Sequence, residues 1–211
     1  DGKVSSVARE PVTFTSREDK QLLFKIRARC DALVVGARTA ASDYESMGIP
    51  VAALRAARLR RGQSEHPLRV IVSGRLTLSP ALRLLRNPIS PILIVCSEKA
   101  PARRRKLFAR FGRVIVCGKR EVDVTRLVSM LGAEYGVRTI LCEGGPTLND
   151  AFFRAKLVDE LHLTLCPCVV GGENAPTLAD GIGFSRLKDA ARARLVSCRR
   201  GKREWLLRFR F

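Results

Sequence analysis

Short apolar runs alternate with amphipathic stretches through most of this chain, the sequence pattern of an α/β fold. DALVVG (31–36), LRVIVS (68–73), PILIVCS (91–97), RVIVCG (113–118) and VRTILC (137–142) read as strands. Their near-continuous apolar character suits a parallel sheet covered on both faces. A sixth strand, DELHLTLCPCVVG (159–171), is different: Leu161, Leu163 and Leu165 alternate with His162 and Thr164. The closing runs ARLVSCRR and REWLLRFRF, around Gly201-Lys202, predict a β-hairpin.

Helical spacing fills the intervals. In TSREDKQLLFKIRARC (15–30), Leu22, Leu23, Ile26 and Cys30 share a face, with Ser16 as N-cap and acids in the first turn. Residues 50–66 read as a basic helix ending near Gly62, SPALRLLRN (79–87) as a short helix or turn, and KAPARRRKLFARFG (99–112) as a helical or irregular basic segment. DVTRLVSMLGAEYG (123–136) repeats Val124, Leu127, Val128 and Leu131 and closes near Gly132 and Gly136. Residues 146–157 set Leu148, Ala151, Phe152 and Ala155 on one face. The pattern predicts about eight strands and four or five helices. The expected fold is α/β: a mostly parallel central sheet with an antiparallel C-terminal hairpin and helices on both faces.

Composition adds bounds. A chain of 211 residues can bury one sizeable core, so residues 1–211 are expected to form a single domain. With 46% hydrophobic residues and no apolar window of bilayer length, it reads as soluble and globular, with no membrane partner. It opens on Asp1-Gly2, which resembles a start in mid-strand, and no signal peptide is visible. Seven cysteines (30, 96, 117, 142, 166, 168 and 198) sit mostly in apolar runs. Free thiols in a reducing compartment, the cytoplasm, explain them better than disulfides. Cys166-Pro-Cys168 lacks the two-residue spacing of a zinc knuckle.

The formal charge of +19 should attract nucleotides, phosphorylated substrates or nucleic acid. However, the clusters RAARLRR (55–61), RRR (103–105) and RRGKR (199–203) lack interleaved aromatics and any nucleic-acid motif. Most of these arginines are expected on a solvated surface, and nucleic acid is not the expected partner.

Candidate chemistry concentrates at strand ends. In LCEGGPTLND (141–150), two glycines remove Cβ atoms from a turn, and Pro146 suits the first helical position. The following amides would face outward from a positive helix end, so a phosphate cradle is one reading and an ordinary tight turn the other. Glu143 would repel a phosphate there. It points either to a second ligand bearing N–H donors or to a salt bridge with an arginine. In DALVVGARTAASD (31–43), Gly36 ends a strand, and Thr39 and Asp43 would share a helical face. Thr39 as an N-cap is the alternative. In VSGRLTLSP (72–80), Ser73 and Gly74 end a strand beside Arg75, which can hold a phosphate or lie exposed on a loop.

Other chemistries find little support. The chain has two histidines, His66 and His162, no serine in a nucleophile elbow and no zinc-deaminase signature. A cofactor that carries its own chemistry becomes attractive, and no metal is expected.

Several motifs together resemble one family. DGK (1–3), Arg27 on a helix leading into DALVVGxxT, LRVIVS with its basic loop, and CEGGPTLNDAFFRAKLVDELHLTLCPCVVGG followed by LADGIGF are similar to the reductase domain of riboflavin biosynthesis. That group has a dihydrofolate-reductase-like fold. The similarity spans nearly the whole chain, and the EGGPTL…LVDEL…P..VGG block is its specific part. The resemblance implies an NADPH-dependent reductase and a homodimer, built through the C-terminal strands. It implies reduction of the ribosylamino group of a phosphorylated pyrimidine to ribitylamino, by hydride transfer to C1′ of the ring-opened sugar imine.

The resemblance also implies roles. Gly144, Gly145, Pro146, Thr147, Leu148 and Asn149 match the cofactor-binding turn. Thr13, Gly36, Thr39 and Asp43 match further dinucleotide contacts. Ser73, Gly74 and Arg75 match the loop beside the adenosine ribose and its 2′-phosphate. Arg27 and Glu143 match substrate-contacting positions, Glu143 with a catalytic role, and Asp1 belongs to a catalytic strand opening.

The departures fall in the substrate half. Tyr44 replaces a second acid, Pro11 stands where many members have serine, and the substrate-side arginine is absent from TAASDYESMGIP. Arg55 or Arg58 are the candidates to replace it. Two other readings stay open: a reductase of the same fold acting on a pterin or another carbonyl compound, and a decayed reductase that binds polyanions.

Overall fold

The structure is a computed structural model that describes residues 1–9, 15–41 and 46–211. The chain divides into two compact units, one of residues 24–145 and one of residues 1–23 with 146–211. Its helices are α1 (Arg17–Arg27), α2 (Ala37–Ala41), α3 (Ala52–Arg60), α4 (Arg83–Arg86), α5 (Ala102–Phe108), α6 (Val124–Tyr135) and α7 (Pro146–Arg154). The strands are β1 (Ala32–Gly36), β2 (Leu68–Val72), β3 (Ile92–Cys96), β4 (Arg113–Val116), β5 (Ile140–Cys142), β6 (Glu160–Leu165), β7 (Arg194–Arg200) and β8 (Trp205–Arg210).

In the unit of residues 24–145, five parallel strands lie in the order β4-β3-β2-β1-β5. The five apolar runs become its strands, with β4 and β5 at the edges, and β3 is buried along its whole length. Leu33, Val35, Ile71, Ile94 and Phe108 belong to one continuous core. From β1 the chain steps outward to β4, then returns to the other side of β1 as β5. The strand order therefore reverses between β1 and β5, where ligands dock in open α/β sheets. α6 closes at Gly136, φ 64°, as its sequence predicts, and at its start the Asp123 carboxylate accepts from the Arg126 amide at 2.9 Å.

The expected helix of 15–30 stops at Arg27. Beyond it, the buried Arg58 guanidinium donates to the Cys30 carbonyl at 2.5 Å, and Asp31 leads into β1. Asp31 accepts from the Arg138 and Thr139 amides, each at 3.0 Å, which fastens the start of β1 beside β5. Seven α-helices occur among the described residues, more than the pattern suggested. α2 and α4 are each one turn or so, too short for a periodicity to register.

In the other unit, β6-β8-β7 form an antiparallel sheet of their own. The predicted hairpin is present, with β8 between its partner β7 and β6, so that Leu163 faces Leu207 and Leu165 faces Trp205. β6 ends at Leu165, short of the predicted Gly171, because Pro167 has no N–H for a ladder and the Cys168 amide turns back to the Cys166 carbonyl at 2.8 Å. Ser16 caps α1 as predicted, accepting from the Glu18 and Asp19 amides at 3.0 and 3.2 Å. α7 starts at Pro146 as expected but ends at Arg154, since Lys156 adopts φ 54°. Among the described residues, no helix is long and apolar enough to cross a membrane.

Candidate functional site

Within residues 24–145, the predicted residues gather at the carboxyl ends of adjacent strands. Gly36 ends β1, Ser73 and Gly74 follow β2, and Glu143, Gly144 and Gly145 follow β5. The Gly36 amide donates to the Gly144 carbonyl at 2.6 Å, which joins two of these ends at the strand-order reversal. Gly144 has φ 87°, a conformation that favours glycine, and the Gly144–Gly145 peptide is cis. A Cβ on Gly145 would lie 2.9 Å from Thr39 Oγ1. Bare backbone and a threonine hydroxyl thus face each other. Thr39 lies inside α2, so it is not an N-cap. The Gly74 carbonyl accepts from the Ser97 amide at 3.0 Å and its hydroxyl at 2.8 Å, closing the β2 and β3 ends together.

Arg27 and Glu143 meet each other. Nε and Nη2 of Arg27 donate to the two carboxylate oxygens at 2.6 Å each, and Nη1 donates to the Gly48 carbonyl at 2.8 Å. Their side chains are 8% and 4% exposed, so this is a buried bidentate pair. The salt-bridge reading of Glu143 is therefore realised, with an arginine that the sequence analysis had placed on the same substrate.

Arg75 borders a cavity of about 390 Å³ lined by Leu76, Thr77, Lys99, Pro101, Arg103 and Arg104. Arg75, Lys99 and Arg103 are exposed, and no carboxylate lines this hollow. Lys99 and Arg103 come from the β3–α5 connection and α5, and nothing in their local sequence ties them to Arg75. Only a register placing Ser97 beside Gly74 brings them near Arg75.

Arg55 and Arg58, the candidate substitutes for the missing arginine, are engaged elsewhere. Arg55 pairs with Glu65 at 2.7 Å and reaches the Ile49 and Pro50 carbonyls. Arg58 is buried against the Ser64 and Cys30 carbonyls. Arg61, in the same basic run, donates to the Ala28 carbonyl at 2.6 Å. This run holds backbone together more than it presents charge.

Asp1 and Pro146 to Asn149 belong to the other unit. Asp1 is exposed, and its carboxylate accepts from the Val170 and Gly171 amides at 2.9 and 2.7 Å. Thr147 is exposed in the first turn of α7, whereas the Leu148 side chain is buried, leaving its backbone as the group it could offer a ligand. Asn149 Nδ2 donates to the Leu178 carbonyl at 2.9 Å. Next to it Asp150, which no motif of the sequence marks, is buried and accepts from the Ile182 and Gly183 amides at 3.2 and 3.0 Å. The glycines of GIGF serve this carboxylate: a Cβ on Gly181 would meet Asp150 Oδ2 at 2.1 Å. Thr13 and Asp43 lie outside the described residues.

Thiol chemistry is disfavoured at Cys142 and Cys30. Burial pushes Cys142, beside Glu143, up to about 11, and Cys30 likewise to about 11. All seven cysteines are free, with 30, 96 and 117 buried. Among the described residues no group of His, Cys, Asp and Glu side chains could hold a metal ion.

The RibD C-terminal domain family matches residues 1–207 of this chain. The chain is 32% identical over 184 residues to the 2,5-diamino-6-ribosylamino-4(3H)-pyrimidinone 5′-phosphate reductase of Archaeoglobus fulgidus, covering 87% of this chain and 83% of that one. It is 32% identical over 195 residues to the protein of the same name from Methanothermobacter thermautotrophicus, covering 92% and 86%. The fold is similar to a pyrimidine reductase-like protein from Corynebacterium diphtheriae, with a TM-score of 0.79 at 21% identity over 98% of this chain and 88% of that one. The predicted α/β architecture, the strand-end glycines and this near-complete match agree: the chain belongs to the RibD C-terminal domain family.

Proposed function

We propose that this chain is an NADPH-dependent reductase of riboflavin biosynthesis that converts the ribosylamino group of a (di)aminopyrimidine ribosylamine 5′-phosphate to a ribitylamino group. The observation that carries this reading is the approach of Thr39 to Gly145 at the strand-order reversal, in a family whose relatives bear that reductase's name.

The residues fit a dinucleotide. Gly144 and Gly145 keep side chains away from the lip, so backbone amides and the Thr39 hydroxyl can approach a pyrophosphate closely. The hollow with Arg75, Lys99 and Arg103 suits a phosphate dianion, which favours NADPH over NADH. Gly36, Ser73 and Gly74 stand with them as cofactor contacts, and the resemblance alone assigns that role to Pro146 to Asn149 as well. With a nicotinamide cofactor bound at these residues, the chemistry it would supply is a hydride for C1′ of the ring-opened sugar imine, while water or the substrate's own phosphate would give the proton to the imine nitrogen. Arg27 fixes the orientation of Glu143, which we assign to the substrate's N–H donors rather than to proton transfer. Asp1 is assigned to the opening of the active site.

The same reading extends to assembly and place. Leu165, Trp205 and Leu195 are 47%, 44% and 55% exposed, and the register puts Leu165 and Trp205 on one sheet face with Leu207 and Phe209. An apolar sheet face of this kind supports a homodimer through the three-stranded sheet. The free thiols support a cytoplasmic location.

Turnover of the pyrimidine ribosylamine phosphate, with NADPH and NADH compared, tests the proposal. Substrate-dependent oxidation of NADPH is expected, with a lower KM than for NADH. No binding at millimolar NADPH would overturn it.

A further inference from the structure

The loop after β2 holds an unusual conformation beside the basic hollow. Leu76 has φ 54°, a left-handed backbone that is unfavourable for a bulky residue. Its side chain and that of Leu78 are buried, while Arg75 and Thr77 between and before them face outward. Something must hold Leu76 in place. The Leu76 carbonyl accepts from Arg104 Nε at 2.9 Å, and the Leu78 carbonyl accepts from Arg104 Nη2. The guanidinium in turn lies over the Phe108 ring, 4.9 Å from its centroid and four residues along α5.

We infer that Arg104 is a positioning residue, holding the 73–78 loop in the conformation that aims Arg75 into the hollow and so setting affinity for a phosphorylated dinucleotide. This rests on the cofactor reading above. Two neighbouring arginines divide the work. Arg103 is exposed and contributes charge to the hollow, whereas the Nε and Nη2 donors of Arg104 go to loop carbonyls and contribute geometry. A lysine keeps the charge of Arg104 but cannot bridge two carbonyls with a rigid fork. The substitution Arg104→Lys therefore separates geometry from charge.

The test compares Arg104→Lys, Arg103→Ala and Arg75→Ala by KM for NADPH and NADH, by kcat, and by amide hydrogen exchange without ligand. Arg104→Lys is expected to raise the NADPH KM roughly tenfold, the worth of about one charged hydrogen bond, with kcat and the NADH KM unmoved. Amide exchange should quicken over residues 75–78 alone. Arg103→Ala should raise the NADPH KM without changing exchange. A wild-type KM and exchange for Arg104→Lys, while Arg103→Ala and Arg75→Ala weaken NADPH, overturns the inference and leaves the cofactor reading standing. Faster exchange along β2 and β3 as well overturns it too, by marking a general stabilising role. If Arg75→Ala and Arg103→Ala leave the NADPH to NADH ratio unchanged, the cofactor reading fails and the inference falls with it.

Discussion

The Thr39 hydroxyl lies 2.9 Å from the point where a side chain on Gly145 would begin. Gly145 is therefore excluded from growing by this chain's own packing, before any ligand arrives. Gly145→Ala is expected to destabilise by about 1–3 kcal/mol, the usual cost of overpacking. Thr39→Ala removes the obstructing oxygen, so the double variant should recover part of that loss. Urea unfolding of the four proteins measures the coupling, and additive losses would refute the contact.

Arg27 and Glu143 form a buried pair, and removing one partner strands the other charge. Glu143→Gln should cost about 3–5 kcal/mol of stability. Replacing both, as Arg27→Met with Glu143→Leu, should cost less than the single substitution, because no charge is left buried alone. Denaturant midpoints check this. If Glu143→Gln proves as stable as the parent, the pair is not structural. Where that variant folds, it should impair turnover of substrate more than NADPH affinity.

His66 predicts a pH dependence. Burial first, then the Arg55, Arg58 and Arg69 charges, hold its imidazole below the ordinary histidine value, against an opposing pull from Glu65. Its Nδ1 accepts from the Ile49 amide at 3.1 Å and so must carry no proton. Between the depressed folded value and the unfolded value of about 6.5, the unfolded chain binds more protons. This contribution is complete above the unfolded value and is lost as pH falls through that window. The thermal midpoint should drop from pH 7 toward pH 5 more steeply in the parent than in His66→Asn, whose side-chain oxygen can accept without titrating. Equal slopes would count against it.

The exposed apolar face of the three-stranded sheet predicts self-association. Leu195→Asp should shift the protein from dimer to monomer in sedimentation, because a charge there would be desolvated in the interface. A parent protein that sediments as a monomer would rule the dimer out.

The sequence by itself determined the strands and the strand-end residues. β1 to β5 are apolar runs, of which the inner strands β1, β2 and β3 are buried; Gly36 ends β1, Ser73 and Gly74 follow β2, and Gly144 and Gly145 follow β5 in the chain. Local rules also sufficed for Ser16 as N-cap, Gly136 at the end of α6, and Pro146 at the start of α7. Periodicity did not reveal where α1 stops, because the Ala28 and Cys30 carbonyls just beyond it are taken by Arg58 from another helix.

Partnership was decided only in three dimensions. Two residues assigned to one substrate, Arg27 and Glu143, are 116 positions apart and bind each other. The sequence marks RRR at 103–105 as one basic cluster, yet Arg103 borders a hollow and Arg104 clamps a loop. Asp150 looks like any helical acid until the GIGF turn closes around it. The physical reason is common to all three. A residue's type sets which bonds it can make, while the sheet register and the loops it closes decide which partner comes within hydrogen-bond distance.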